Sequence, residues 1–308
     1  MSRAARMYYV EGASQRAIAQ ALKVSVPTVS RLVQRAKDEG VIQFSIREPY
    51  ASCQALERDL LRAYGLSDAL VTPTGGVLDG DLVKRGVALE GAKLVQRVAT
   101  PKDTLGVAWG GTMCYLIQYL NPCRRVPARF VTLHGSISCC GRELDVRTLV
   151  GRMSKAFGGS RHVIESDGLP RSPAAGEAPA ADGVAAVCAL FEKITISVSG
   201  VGSLHPGLDS PLVRSNYLRP AEVDEVVAAG AYGDIVLRFF DADGAECDTS
   251  LRDRTLAIAL EQYRKIPLKV VAASGAHKAR TVAAALRGGL ADVLVLDEGL
   301  ARAVLEQC

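Results

Sequence analysis

LKVVAASGAHKARTVAAALRGG, residues 268–289, changes character twice within 22 residues. Leu268 to Ala272 is a short apolar run of strand length, Ser274-Gly275-Ala276-His277 is a turn, and the Ala- and Leu-rich stretch that follows has helical spacing up to Gly288-Gly289. A strand that passes through glycine into a helix is half of a βαβ unit, which buries a parallel sheet between two layers of helices. The spacing places Lys278 in the first turn of the helix. A cation there opposes the helix dipole unless an anion is close, which makes Lys278 a candidate contact for a phosphate or carboxylate on a small molecule. The plainer alternative is an exposed lysine screened by salt.

Outward from this segment the same alternation recurs. Apolar, β-rich runs near 69–72, 104–108, 129–133, 194–198, 234–240 and 292–296 are separated by helical patterns, so the body is expected to be α/β, with a mainly parallel sheet and ligands at the carboxyl ends of its strands. Three further strand ends carry candidate ligand groups. TLGVAWGGT leads into Gly110, Gly111 and Thr112, whose N–H groups and hydroxyl suit an anion, although a Gly-Gly turn is also common as plain tight packing. FVTLHGSIS places His134, Gly135 and Ser136 after a strand, where a lone histidine is more often structural. ITISVSGVGS ends in Gly200 and Gly202. Before the first strand, Leu56, Leu60, Leu61 and Tyr64 give the 49–66 segment an amphipathic helical face, and the 169–183 segment, rich in Pro, Ala and Gly, reads as an irregular loop.

Toward the N-terminus, ASQRAIAQALKVSVPTVSRLVQRAKDEGVI (13–42) holds two helical periods around a break. Ser14 is a cap for a first helix with Ala17, Ile18, Ala21 and Leu22 on one face. Ser25 caps a second that tolerates Pro27 and buries Val29, Leu32, Val33 and Ala36, and Gly40 ends it. Small Ala19 lets the two approach, the arrangement of a helix-turn-helix. Val26, Thr28, Ser30, Arg31, Gln34 and Arg35 then face outward as major-groove readers, with Arg31 suited to guanine and Gln34 to adenine, while Gln15, Arg16 and the Ser25 helix start hold phosphates. Charge agrees: residues 1–47 hold eight Lys/Arg against three Asp/Glu, a net +5, and leave −1 for the remainder. Residues 41–46 alternate like a strand, which reads as a wing or as the start of the linker.

At 308 residues, 48% hydrophobic and 23% charged, the chain is large enough for two folded domains and too apolar for disorder; 5% aromatic content with 29 Gly disfavours a β-sandwich. No run approaches the ~18 apolar residues of a membrane span, and Met7–Val10 is too short for a secretory leader, so a cytoplasmic protein is expected. The eight cysteines form no C-x-x-C pair and no zinc-like spacing with histidine, so reduced thiols and no metal or other cofactor are expected.

Taken together, these segments resemble the SorC family of sugar-binding transcriptional regulators over almost the whole chain. The stretch from Ser14 to Ile42, above all Thr28-Val29-Ser30-Arg31, is similar to the family's helix-turn-helix; SGVGS, GAYGDI and DADG follow in order; and ASGAHKARTVAAALRGGLADVLVLDEGLA (273–301) resembles its closing signature. The resemblance implies a Rossmann-like effector domain related to the sugar-phosphate isomerase and CoA-transferase-like fold. It implies an effector pocket lined by Gly110, Gly111, Thr112, His134, Gly135, Ser136, Gly200, Gly202, Asp234 and Lys278, with operator DNA and a sugar or sugar phosphate as partners and a tetramer or dimer as the assembly. The rival reading is a sugar-phosphate isomerase with an accessory head, using Asp234 or Asp297 as base and His134 or Lys278 as acid or electrophile.

Overall fold

The structure, a computed structural model, describes residues 1–42, 51–76, 79–137, 141, 143–170 and 181–308, and these divide into two units, Met1–Pro49 and Tyr50–Cys308. Residues 43–46 of the expected wing, 171–180 of the expected loop, and Cys139 and Cys140 lie outside the described residues.

The first unit has three helices, α1 (Ser2–Tyr9), α2 (Gln15–Leu22) and α3 (Val26–Asp38). Ser14 Oγ accepts the Ala17 N–H at 3.2 Å and Ser25 Oγ accepts that of Thr28 at 3.3 Å, so each expected cap satisfies a donor left open at a helix start. Ile18, Ala19, Val29 and Val33 pack with Ala4 in one cluster, and Ala36 is buried as well. One sequence expectation is corrected and one helix is added. Ala17 and Ala21 are exposed, because α2 turns Ile18 and Ala19 inward instead. Helix α1 was not foreseen: its buried face is Ala4 and Ala5, too small to register as an apolar period.

The second unit runs α4 (Ala51–Tyr64), β1 (Asp68–Thr72), α5 (Gly80–Val98), β2 (Thr104–Val107), α6 (Gly111–Gln118), β3 (Arg129–Thr132), α7 (Val146–Phe157), β4 (Ser160–His162), α8 (Ala181–Cys188), β5 (Ile196–Ser199), β6 (Gly202–Ser203), α9 (Pro211–Arg214), α10 (Pro220–Ala228), β7 (Gly233–Ile235), β8 (Arg238–Phe240), α11 (Ser250–Arg254), α12 (Leu260–Arg264), β9 (Leu268–Ala273), α13 (Ala279–Arg287), β10 (Val293–Asp297) and α14 (Glu298–Leu305). Seven strands form a parallel sheet in the order β1-β10-β9-β5-β2-β3-β4. Side chains alternate across it: Val293 and Val295 join the layer under α5, α6 and α7, while Leu294 and Leu296 join the layer under α4, α13 and α14. Among the described residues no helix is long and apolar enough to cross a membrane.

The expected strand 234–240 is instead a hairpin. Val236 and Leu237, at φ 48° and 68°, form its two-residue turn, and β7 and β8 pair antiparallel beside β6 in a separate small sheet. Such turns normally announce themselves with Asn or Gly. Here the turn residues are apolar and follow Ile235 without a break, which conceals the reversal.

Strand order also locates a crevice. From β2 the chain builds outward through β3 and β4, whereas β5, β9 and β10 build in the opposite direction, so β2 and its neighbour β5 form the switch point. Connections leaving such adjacent strands diverge and open a cleft beyond their carboxyl ends.

Candidate functional site

At that switch point, β2 delivers Gly110-Gly111-Thr112 and β5 delivers Gly200-Val201-Gly202 to one cleft. Gly110 caps α6 at φ 128°, a backbone conformation that favours glycine, and no side chain caps this helix. The first N–H groups of α6 therefore remain available to an anion at the cleft. Trp109, the only tryptophan in the chain, also lines it.

Asp234, on β7, pairs in register with Gly202 of β6. Its carboxylate lies so close over Gly202 that a Cβ there would collide with Oδ1, which is why this position must be glycine. Ser210 donates to Oδ1 at 2.5 Å. Burial pushes the Asp234 pKa up to about 6 against the opposing effects of the Ser210 hydrogen bond and the Lys278 charge.

Lys278 is not in the first turn of α13. It ends the 3-10 turn Ala276–Lys278 and occupies the cap position of α13, half-buried, with Nζ donating to the Val201 carbonyl at 3.0 Å. Burial lowers its pKa; Asp209 and Asp234 oppose this, while Lys84 and Arg214 reinforce it by repulsion. Lys84 (α5) and Arg214 (α9) line the same cleft. Three cations from three elements thus face one space, an arrangement that an anion relieves. Asp209 answers only part of that charge, bonding Arg214 Nε at 3.3 Å and His277 Nε2 at 2.8 Å. Sequence reading missed Lys84 and Arg214.

His134, Gly135 and Ser136 do not line the cleft. His134 is wholly buried; its Nε2 accepts the Trp109 N–H at 3.1 Å, so Nδ1 carries the proton and donates to the Gly135 carbonyl at 2.7 Å. Burial pushes its pKa down to about 4, leaving it neutral at physiological pH. Gly135 packs against the 166–168 backbone, and Ser136 donates to Asp145 at 2.5 Å. His134 holds the backbone that enters the Gly110 turn. His134→Leu should strand the Trp109 N–H, lower stability by about 1–3 kcal/mol and shift tryptophan emission, read by denaturation and fluorescence; unchanged emission would refute the coupling.

On α3, Val26, Ser30, Arg31, Gln34 and Arg35 are exposed and Thr28 is half-buried, its hydroxyl 2.8 Å from that of Ser25. Gln34 donates to Asp38 at 2.9 Å and Arg35 to Glu39 at 2.5 Å, both one turn along the helix. Arg31 has no ion pair among the described residues, and on α2 Gln15 is half-buried and Arg16 exposed. Arg31→Ala should reduce affinity for the cognate DNA about tenfold and flatten discrimination at one base pair, measured by anisotropy with point-substituted duplexes. Normal discrimination by this variant would show that α3 does not read bases through Arg31.

Comparison with known proteins adds the lineage. Residues 48–306 match the sugar-binding domain family and residues 2–44 match a homeodomain-like domain. The chain belongs to the SorC family. Among its SorC-type relatives are the deoxyribonucleoside regulator of Bacillus subtilis (strain 168), 29% identical over 321 residues with 98% of this chain and 96% of the relative covered, and the sorbitol operon regulator of Klebsiella pneumoniae, 26% identical over 307 residues with 98% and 96% covered. The crystal structure of the full-length sorbitol operon regulator SorC from Klebsiella pneumoniae superposes with a TM-score of 0.77 at 24% identity, covering 98% of this chain and 97% of that one. The helix-turn-helix head and mainly parallel α/β body expected of a SorC-family chain are both present.

Proposed function

We propose that the chain is a DNA-binding transcriptional regulator of a carbohydrate operon, with operator affinity set by a sugar or sugar phosphate in the β2/β5 cleft. The observation that carries this reading is the convergence of Lys84, Arg214 and Lys278 with the open N-terminus of α6 and with buried Asp234. The cations and the helix start suit a phosphate or other anionic group, and a carboxylate suits sugar hydroxyls. The ligand acts by binding one conformation of the regulator better than another.

The isomerase reading has less support. Both Asp297 oxygens accept backbone N–H groups, from Leu300 at 3.0 Å and Gly275 at 2.7 Å, and His134 is walled off from the cleft. Of the four groups that reading calls on, only Asp234 and Lys278 reach the cleft, and we assign both to ligand binding. Operators with inverted or tandem half-sites favour a homo-oligomer, a dimer or tetramer, working in the cytoplasm. Among the described residues no group of three or more His, Cys, Asp or Glu is arranged to hold a metal.

The test is an anisotropy titration of DNA upstream of the protein's own operon against a panel of sugars and sugar phosphates. Binding that falls steeply with salt and is altered by one compound is expected. No specific binding, together with conversion of a sugar phosphate, would overturn the reading in favour of the enzyme.

A further inference from the structure

The near-neutral charge of the body conceals a second basic region. Residues 121–163 carry eight Lys/Arg against two Asp/Glu, a net +6, so the rest of the chain beyond residue 47, which totals −1 with this segment included, carries −7 without it. The fold gathers part of that charge on one face. Arg161 of β4 lies across α7 at Gly151, its Nη1 3.6 Å from where a Cβ would stand, and Arg125 lies over Gly158 at the end of α7, its Nη2 3.0 Å from the corresponding point. Lys155 lies on α7 between them, four residues after Gly151 and three before Gly158, which is the same stripe of the helix. Arg125, Lys155 and Arg161 are exposed, and none makes a salt bridge among the described residues. Of the segment's two acids, Asp145 is held by Ser136 and Arg147, and Glu143 precedes the opposite end of α7.

A helix C-terminus accounts for one cation by its dipole, not for three, from a loop, α7 and β4. Among the described residues the large exposed apolar ones, such as Leu82, Leu208 and Val227, all lie outside this segment, so the described face lacks the apolar centre expected of a protein interface. We propose that this face binds DNA backbone phosphates flanking the sequence read by α3, a second and sequence-independent DNA contact carried by the body. The proposal rests on the regulator reading.

The test uses the full chain with Arg125→Gln, Lys155→Gln and Arg161→Gln combined. Its partners are the footprinted upstream site as a minimal duplex and the same site extended by about two helical turns on each side. Counterion release predicts that the slope of log K against log salt falls by about 2–3 on the extended duplex, with affinity about tenfold weaker, while binding to the minimal duplex is unchanged. An unchanged slope on the extended duplex would overturn the proposal and leave the regulator reading intact. So would an unchanged slope accompanied by altered sedimentation, which would make the face a contact between copies. Failure of the wild-type chain to bind either duplex would overturn both readings.

Discussion

Lys278→Met should weaken effector binding about 100-fold and abolish the effect of effector on DNA binding, while effector-free operator affinity stays within about twofold. Methionine preserves most of the apolar stem, so packing changes little and the substitution isolates the ammonium. That ammonium is half-buried, hydrogen-bonded to the Val201 carbonyl and repelled by Lys84 and Arg214. Removing one desolvated partner of a charge-assisted contact typically costs 2–5 kcal/mol of binding, and the lower part of that range corresponds to about two decades in Kd. Arg214→Met should have a smaller effect, about fivefold, because Arg214 is exposed and its charge is screened. Calorimetric titration with the active compound checks the affinity, and a DNA titration with and without that compound checks the coupling. A full DNA response from Lys278→Met would place the effector elsewhere.

The glycine-punctuated strand ends were legible because their signal is local. Gly110, Gly200, Gly202 and Lys278 each follow directly on an apolar run, and strand order then brings three separate runs to one cleft. Lys84 and Arg214 carry no such signal. One lies within a 19-residue helix and the other ends a four-residue helix, and only long-range packing turns them toward Lys278. His134 illustrates the converse problem. A histidine after a strand has the same sequence signature whether it faces a ligand or supports the turn that does, and burial alone separates the two. The hairpin at Val236-Leu237 was illegible for a third reason: its turn residues are apolar, and tertiary packing fixes a positive φ that their own preferences resist. In the head, both caps were legible because Ser14 and Ser25 act within three residues of themselves.

Asp234→Asn should stabilise the chain at pH 7.5 by about 2 kcal/mol, lose that advantage by about pH 4, and weaken sugar binding about tenfold. Folding raises the carboxyl from its ordinary 3.8 to about 6. Between those values the folded chain holds a proton that the unfolded chain has released, so stability falls as pH rises through that window, and above about pH 6 the loss is complete. Two units correspond to about 3 kcal/mol, of which the variant recovers less because Lys278 loses a nearby negative charge. The amide oxygen can still accept the Ser210 hydroxyl, so the pocket need not rearrange. Urea denaturation at pH 4, 5.5 and 7.5 tests this, and a pH-independent difference between the two chains would refute the raised pKa. A buried carboxylate that destabilises the fold yet is clamped by Ser210, a glycine beneath it and Lys278 across the cleft makes sense at a ligand site, because a sugar hydroxyl donates best to the ionised form. The same linkage makes sugar affinity rise from pH 5 to pH 7, in the opposite direction to stability.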